Sequence, residues 1–300
     1  MKKKVKKQNE RVGVIFIVLV CLLFRSVIST YIVYVLMFNC LYYLIHKLFK
    51  NKYVDKSFYL TFIIPIIIVI LGNINVNTIH LTKYDLSNKD ITKDVRIAYV
   101  SDVHLSTLDN KKLDDLVKFI NDKNYDIFVI DGDLVDEFST DKKIESVIKE
   151  LGSIKTKYGN YYVEGNHDLL NNKNRTLLTS NNFIVLEDDK VLIDNNYYLI
   201  GRRDKKDKLR TDLNRLTYNL DKPAILLDHQ PNVEKNMDSR IIVQLSGHTH
   251  AGQIWPLGYF LKYGYYEDKR LIVSSGFGVW HNKVRTSKYS EIVEINISKE

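Results

Sequence analysis

The hydrophobic and polar positions divide the chain into two parts with different patterns. Three long, almost uninterrupted apolar runs occur in the first quarter, at 12–24, 27–45 and 58–76. From residue 94 onward, short apolar runs alternate with stretches in which apolar residues recur every three or four positions. A membrane-crossing helix needs about 20 apolar residues, whereas the second pattern is typical of strands and surface helices. The pattern therefore predicts a membrane anchor over 1–78, a polar connector over 79–93 and a globular domain over 94–300.

The second part predicts an α/β domain with two sheets. One-sided apolar patterns predict helices at 111–121 and 141–151, and more weakly at 207–216. The short apolar runs predict strands at 96–100, 127–130, 161–163, 183–186, 190–193, 197–200, 224–227, 241–245, 271–274 and 291–297. Because strands alternate with helices early and follow one another later, we expect two sheets packed face to face.

The basic charge is concentrated in the predicted anchor. Residues 1–56 contain eleven Lys or Arg and two acidic residues, a net charge of +9, and the whole chain carries +8, which leaves −1 for residues 57–300. A near-neutral globular domain does not indicate a nucleic-acid surface, and we expect no nucleic-acid partner. Both cysteines, Cys21 and Cys40, lie in apolar runs, which excludes a disulfide or a cysteine metal site in the globular domain.

The position of the basic residues also predicts an orientation in the membrane. Segments rich in Lys and Arg stay on the cytoplasmic side, and such segments precede the first apolar run and fill 47–56. The first run could instead be a signal peptide, but more apolar sequence follows it rather than a small-residue cleavage site. In either case the segment 47–56 stays inside, so we expect a multi-pass protein of the cell membrane with its globular domain outside the cytoplasm.

Five polar clusters follow apolar runs at the places where strands should end. They are Asp102-Val103-His104, Asp131-Gly132-Asp133-Leu134-Val135-Asp136, Gly165-Asn166-His167-Asp168, Asp228-His229-Gln230-Pro231 and Ser246-Gly247-His248-Thr249-His250. Five of the eight histidines lie in these clusters. Ligand sites of α/β sheets gather at the carboxyl ends of strands, and carboxylates with imidazoles are ligands for divalent metals. The clusters therefore predict a metal site.

This ordered set resembles the calcineurin-like metallophosphoesterase superfamily over about residues 94–297. The segment Leu-Ser-Gly-His-Thr-His-Ala-Gly-Gln-Ile at 245–254 is similar to the branch of bacterial membrane-associated or exported phosphodiesterases. The resemblance implies a two-sheet αββα sandwich that binds two divalent metal ions, of which Mn, Fe, Zn, Ni and Co all suit mixed nitrogen and oxygen ligands.

The resemblance also implies a role for each residue that matches a motif. The ligands of one metal would be Asp102, His104, Asp133 and His250, and those of the other would be Asp133, Asn166, His229 and His248, with Asp133 bridging the two. His167 would be the proton donor or transition-state stabiliser, with Asp136 as its orienting partner. Phosphoester hydrolysis fits such a site, since two metals about 3.5–4 Å apart stabilise the attacking and leaving oxygens and lower the pKa of a shared water.

Simpler interpretations stay open for several polar residues. Asp136 could cap the following helix, Asp168 is better explained as a turn or supporting residue, and Asp131 and Asp228 could support ligands from behind. The pair 202–203, two arginines after Gly201, could contact a phosphate, but we expect a solvated surface.

An aromatic-rich stretch, 255–266, follows the last cluster and should border the mouth of the site. Since aromatic side chains favour membrane interfaces, this stretch could rest on the membrane or hold an apolar substrate tail. Alternatively, it packs against the sheet.

These observations predict a membrane-anchored, metal-dependent phosphodiesterase that acts on a cell-envelope phosphoester, whether lipid-linked or cell-wall-linked. One alternative is a pyrophosphate hydrolase for a nucleotide-linked lipid, and another is a metal-binding scaffold without catalysis. A nuclease is disfavoured, because the globular domain is close to neutral.

Overall fold

The computed structural model describes residues 26–49, 57–168, 171–235 and 237–300. The predicted apolar run 12–24 lies outside the described residues. The chain forms two compact units, of which one contains the part up to Asn75 together with His281–Thr286, and the other contains Val76–Trp280 and Ser287–Glu300.

The first unit is built on two apolar helices, α1 (Val27–Phe49) and α2 (Leu60–Asn77). They coincide with the predicted runs 27–45 and 58–76, and both are long and apolar enough to cross a membrane. Most of their large apolar side chains are exposed. Such a surface is costly in water, so the two helices are compatible with a lipid environment.

A polar segment from far along the chain packs with these helices. The Asn282 amide donates to Thr30 Oγ1 over 2.5 Å, and Arg285 N donates to the Gly72 carbonyl over 2.9 Å. A Cβ at Gly72 would come within 2.7 Å of Val284. The helical unit therefore includes residues that the sequence pattern assigned to the globular domain.

The second unit contains the remaining helices and all strands of the described part of the chain. The helices are α3 (Asn110–Asn121), α4 (Asp141–Leu151), α5 (Asn172–Ser180) and α6 (Leu213–Thr217). The strands are β1 (Ile79–Asn88), β2 (Val95–Val100), β3 (Ile127–Asp131), β4 (Asn160–Val163), β5 (Phe183–Val185), β6 (Asp189–Ile193), β7 (Tyr197–Gly201), β8 (Ala224–Leu227), β9 (Ile241–Ser246), β10 (Gly264–Tyr266), β11 (Leu271–Val273) and β12 (Ser290–Lys299).

The strands form two six-stranded sheets, with orders β1-β12-β2-β3-β4-β5 and β10-β11-β9-β8-β7-β6. Strands β2 to β5 are parallel, as are β7, β8, β9 and β11. One apolar core lies between the sheets, a second lies between the first sheet and α3 and α4, and a third joins α6 to the second sheet. These layers confirm the predicted αββα sandwich, and they explain why β3 is buried throughout.

All ten predicted strands are present to within a residue or two, whereas β1, α5 and β10 were not predicted and one predicted helix is largely wrong. The segment 79–93, predicted as a connector, contains β1, which pairs with β12 in parallel. The predicted helix at 207–216 is wrong over most of its length, because α6 begins at Leu213. Residues 207–210 instead form a loop, in which Asp207 pairs with Arg203 and Arg210 pairs with Asp228.

Candidate metal centre

The five polar clusters follow the carboxyl ends of β2, β3 and β4 in one sheet and of β8 and β9 in the other. Main-chain hydrogen bonds join the first two loops, from Asp102 N to the Gly132 carbonyl and from His104 N to the Asp133 carbonyl, both over 3.0 Å. His248 N donates to both carboxylate oxygens of Asp102 over 3.0 Å. Clusters from the two sheets therefore meet in one place.

The backbone at the site adopts a conformation that side-chain-bearing residues rarely take. Five of the predicted ligands have positive φ angles between 47° and 69°: Asp102, His104, Asp133, His248 and His250. Each such residue costs of the order of 1 kcal/mol or more and persists only where its surroundings impose it. Gly165 is required for the same close packing, since a Cβ there would collide with the Asp133 carboxylate.

One group of potential ligands consists of Asp102, His104 and His250, whose ligand atoms all lie within 4.8 Å of one another. His104 Nε2 and His250 Nε2 are 3.1 Å apart, and His250 Nε2 is 3.3 Å from an Asp102 oxygen. Two imidazole nitrogens at this distance repel each other unless a proton or a cation lies between them. The geometry therefore fits a metal ion.

A second group consists of Asp133, His229 and His248, again within 4.8 Å. His229 Nδ1 donates to the Asp131 carbonyl over 2.7 Å, which leaves the lone pair on Nε2. That Nε2 lies 3.1 Å from Asp133 Oδ2, yet it has no hydrogen-bond partner among the described residues. A lone pair and a carboxylate facing each other are a suitable pair of ligands.

Asn166 lies beside this second group in the loop after β4. Its Oδ1 is buried and has no hydrogen-bond partner within the described part of the chain. A buried, unsatisfied carbonyl oxygen is costly unless it meets a cation or water. Asn166 therefore also fits as a ligand.

The electrostatics of the site favour positive charge between the carboxylates. Burial raises the pKa of Asp133, but His229, His104 and the main-chain N–H of His167 lower it more, so its pKa lies below the usual value. Burial lowers the pKa of His229, but the nearby carboxylates, Asp133 above all, raise it well above its usual value. Each carboxylate therefore stabilises a positive charge on its neighbours, which a proton or a metal ion can supply.

Three further carboxylates support the ligand loops from behind. Asp131 accepts from the Tyr99 hydroxyl over 2.6 Å, and burial raises its pKa to about 7. Asp168 accepts from the N–H groups of Asp133, Val135 and Gly165, each over 2.7 Å. Asp168 therefore ties the second and third clusters together.

Asp228 forms the support behind His229, and Arg202 takes part in it. Arg210 binds both oxygens of Asp228 at 2.5 and 3.1 Å, and Arg202 binds Asp228 at 3.4 Å and Glu234 at 2.7 Å. The expectation of a solvated surface is wrong for Arg202, which is buried because these carboxylates pair with it. Arg203 is half-buried and pairs with Glu187, Asp188 and Asp207.

His167 lies next to the first group, with its ring 5.5 Å from that of His104. The carboxylate within reach of His167 Nδ1 is that of Glu137, at 3.2 Å, rather than that of Asp136. Asp136 Oδ2 instead accepts from the Ser106 hydroxyl over 2.7 Å and lies 3.7 Å from His104 Nδ1. The described contacts thus pair Asp136 with His104, a predicted ligand, rather than with His167 as expected, because Ser106 holds its carboxylate there.

The aromatic stretch 255–266 divides into two parts. Tyr263 donates to Glu291 over 3.3 Å and the Tyr265 ring lies 5.9 Å from that of Tyr84, so this end packs on the first sheet. Tyr259 and Phe260 are largely exposed. The end of the stretch therefore packs against the sheet, as one alternative predicted. The exposed residues 259–260 are free to contact a membrane or an apolar substrate tail, as the other predicted.

Sequence reasoning missed Glu137 and Trp280, whose side chains contact His167 in addition to that of His104. Glu137 follows Asp136 directly, so the pair of acidic residues was a signal that either could face His167. Trp280 lies far along the chain, and its position gave no such signal.

Comparisons with known proteins match the part of the chain that contains the five clusters. A family model described as calcineurin-like phosphoesterase matches residues 95–252. An uncharacterized metallophosphoesterase of Campylobacter jejuni is 31% identical over 271 residues, which cover 82% of this chain and 71% of that protein. One of Helicobacter pylori is 32% identical over 227 residues, or 69% of this chain and 60% of that protein.

A relative from Danio rerio is described as a transmembrane protein with metallophosphoesterase domain. It is 30% identical over 235 residues, which cover 67% of this chain and 52% of that protein. This chain therefore spans less than two thirds of the length of the Helicobacter and Danio relatives.

Proposed function

Because this chain belongs to the calcineurin-like phosphoesterase family, we propose that it is a membrane-anchored, two-metal phosphodiesterase that hydrolyses a phosphoester of the cell envelope. The observation that carries the proposal is the convergence of two ligand groups, Asp102–His104–His250 and Asp133–His229–His248. Asp133 lies between them, since its main chain contacts the His104 loop and its carboxylate faces His229.

Each proposed metal has four protein ligands. Asp102, His104, Asp133 and His250 would hold one ion, and Asp133, Asn166, His229 and His248 would hold the other. When bound, two such ions would stabilise charge on the attacking and leaving oxygens and lower the pKa of a water. The residues around them keep the ligands oriented: the Asp131 carbonyl fixes the tautomer of His229, and the Ser101 hydroxyl fixes Asp102 over 2.6 Å.

His167 gives a proton to the departing oxygen in this proposal. It is partly exposed and lies beside His104, so a substrate oxygen can reach it. Glu137 Oε2 lies 3.2 Å from His167 Nδ1 and would hold the imidazole in the orientation that a general acid needs. A proton donor speeds the departure of an alkoxide, but gives no advantage to a leaving group such as nitrophenolate, which is already stable as an anion.

Helices α1 and α2 anchor the protein in the membrane in this proposal, and the domain lies outside the cytoplasm. The support is the length and apolar composition of both helices, their exposed apolar side chains and the basic residues of 47–56, which favour the cytoplasmic side. An outward-facing hydrolase would meet phosphoesters of the envelope, whether lipid-linked or cell-wall-linked.

The test is an activity screen on the full chain, purified in lipid nanodiscs, stripped of metal and reloaded separately with Mn, Fe, Zn, Ni or Co. The proposal predicts metal-dependent hydrolysis of bis(4-nitrophenyl) phosphate that exceeds hydrolysis of the monoester. Absence of activity with every metal would overturn it, and so would a preference for the monoester.

The His167→Ala variant tests the proton-donor role. It should lose about 10²–10⁴-fold of its activity on a diester with an alkyl leaving group and much less on the nitrophenyl diester, whose leaving group needs no proton. The control is Tyr218→Ala, since Tyr218 is exposed and precedes β8, whereas the cluster with His229 follows that strand. Undiminished alkyl-diester hydrolysis in His167→Ala would refute the role.

A further inference from the structure

Trp280 lies against His167 in a position that phosphoester hydrolysis itself does not explain. The two ring centroids are 5.1 Å apart and the rings are inclined by 42°. Although it packs on His167, Trp280 remains 39% exposed. Keeping a large apolar ring in contact with water forgoes the free energy of its burial, so a ligand that covers it would gain that energy.

The main chain of Trp280 is clamped by one side chain. Trp280 N donates to Gln253 Oε1 over 3.1 Å, and Gln253 Nε2 donates to the Trp280 carbonyl over 3.3 Å. Gln253 N in turn donates to the His250 carbonyl over 2.9 Å. The main chain that carries the indole is therefore held at a fixed place relative to a proposed metal ligand.

The residues before Trp280 are fixed to the loop after β2. Phe277 N donates to the Ser101 carbonyl and Gly278 N to the Asp102 carbonyl, each over 2.8 Å. The Thr107 hydroxyl donates to the Val279 carbonyl over 2.6 Å. Trp280 is thus presented from two sides by the ligand loops, which gives it the preorganisation that a binding surface needs.

The loop that carries Gln253 exposes several apolar side chains. The loop 250–262 begins and ends beside the ligand histidines, because the Thr249 hydroxyl donates to the Lys262 carbonyl over 2.7 Å. It exposes Trp255, Leu257, Tyr259, Phe260 and Leu261, and Phe260 is 82% exposed. An alkyl chain needs only such apolar contacts, whereas a nucleobase also needs partners for its polar edge.

We infer that Trp280 is a specificity-determining residue, whose indole receives an alkyl or acyl portion of the leaving group beside His167. Gln253 is a positioning residue for it. The inference rests on the proposed function and narrows its substrate class to amphiphilic phosphodiesters.

The test compares three glycerol phosphodiesters, whose second alcohol is ethanol, n-octanol or 5′-linked uridine. All three leaving groups are primary alkoxides, so their intrinsic reactivities are similar and differences in kcat/KM report binding. The metal-loaded full chain in nanodiscs should prefer the octyl over the ethyl diester by about tenfold or more. Trp280→Ala should abolish this preference, Gln253→Ala should reduce it and Trp280→Phe should retain part of it, while Tyr218→Ala leaves it unchanged.

The outcomes separate this inference from the proposed function. Equal kcat/KM for the octyl and ethyl diesters would overturn the inference and leave the phosphodiesterase standing, as would an octyl preference that persists in Trp280→Ala. A preference for the uridine diester over the octyl diester would also overturn it. Failure to hydrolyse any diester would overturn both. If Trp280→Ala does not fold, the octyl-to-ethyl ratio of kcat/KM is measured in Trp280→Phe and Gln253→Ala instead. A ratio equal to that of the wild type in both variants would overturn the inference.

Discussion

The two groups of potential ligands contain the same kinds of residues but hold their imidazoles in different ways. In the second group, the main-chain carbonyl of Asp131 accepts from His229 over 2.7 Å, and His229 is fully buried. In the first group, the nearest support for His104 is a side chain, that of Asp136, at 3.7 Å. The two groups thus differ in whether the backbone or a carboxylate orients the ligand.

This difference suggests that the second group is the more rigid and the first the more adjustable. A carbonyl in a strand cannot move without the sheet, whereas Asp136 depends on Ser106 and on its own turn. Partners behind a ligand usually change metal affinity by about 10–100-fold. We therefore expect substitutions to weaken the first group through its supports and the second group only through its ligands.

The largest effect is expected at Asp133, because its carboxylate is the proposed ligand of both metal ions. Asp133→Asn should lower kcat/KM by about 10³-fold, equivalent to about 4 kcal/mol, and should reduce bound metal in both sites. The measurement is metal content by mass spectrometry alongside the nitrophenyl-diester assay. Loss of metal from one group alone would mean that Asp133 does not bridge them.

The next largest effect is expected from replacing one histidine of each group, His250 in the first and His229 in the second. Each alanine variant should bind one metal ion fewer per chain than the wild type. Only His229→Ala should also destabilise the metal-free fold, by about 1 kcal/mol, since it removes the buried hydrogen bond from His229 Nδ1 to the Asp131 carbonyl and leaves that carbonyl with the Ser101 hydroxyl as its donor over 2.8 Å. Thermal unfolding in a chelator measures this, and equal losses in the two variants would contradict the proposed difference in rigidity.

A smaller effect is expected from the support of the first group. Asp136→Ala should weaken one of the two metal sites by about 10–100-fold and leave the other unchanged, as measured by isothermal titration of the metal-free protein. Glu137→Gln is the matched control, because its side chain faces His167 rather than a ligand. Weakening of both sites by Asp136→Ala would show that this carboxylate acts on the whole centre.

The sequence was sufficient to predict the ten strands and the positions of the five clusters, because both are local: short apolar runs end in polar residues. The convergence of the loops after β2 and β3 was also predictable, since the carboxyl ends of neighbouring parallel strands share an edge. His104 and His250 follow strands of different sheets, and their convergence was expected from the family resemblance. The strand β1 was not predictable, because it exists through pairing with β12, which is distant in sequence.

The pairing of side chains between loops was likewise beyond sequence reasoning. Whether Asp136 or Glu137 faces His167 depends on the direction of one turn, and Ser106, from another loop, decides it by holding Asp136. Arg202 is buried because Asp228 and Glu234 come to it from elsewhere in the chain. A pattern of polar residues does not show which carboxylate pairs with which base.

The smallest effect tests whether Ser106 acts through Asp136. The Ser106 hydroxyl donates to Asp136 Oδ2, the oxygen that faces His104, so Ser106→Ala should weaken the first metal site by about fivefold, or about 1 kcal/mol. In an Asp136→Ala background the same substitution should have almost no effect, because the group through which it acts is gone. Ser139→Ala, which alters the other oxygen of Asp136 at 3.2 Å, is the matched control and should change the affinity less. Additive losses in the double variant would mean that Ser106 and Asp136 support the site independently, and the first group would then be as firmly held as the second.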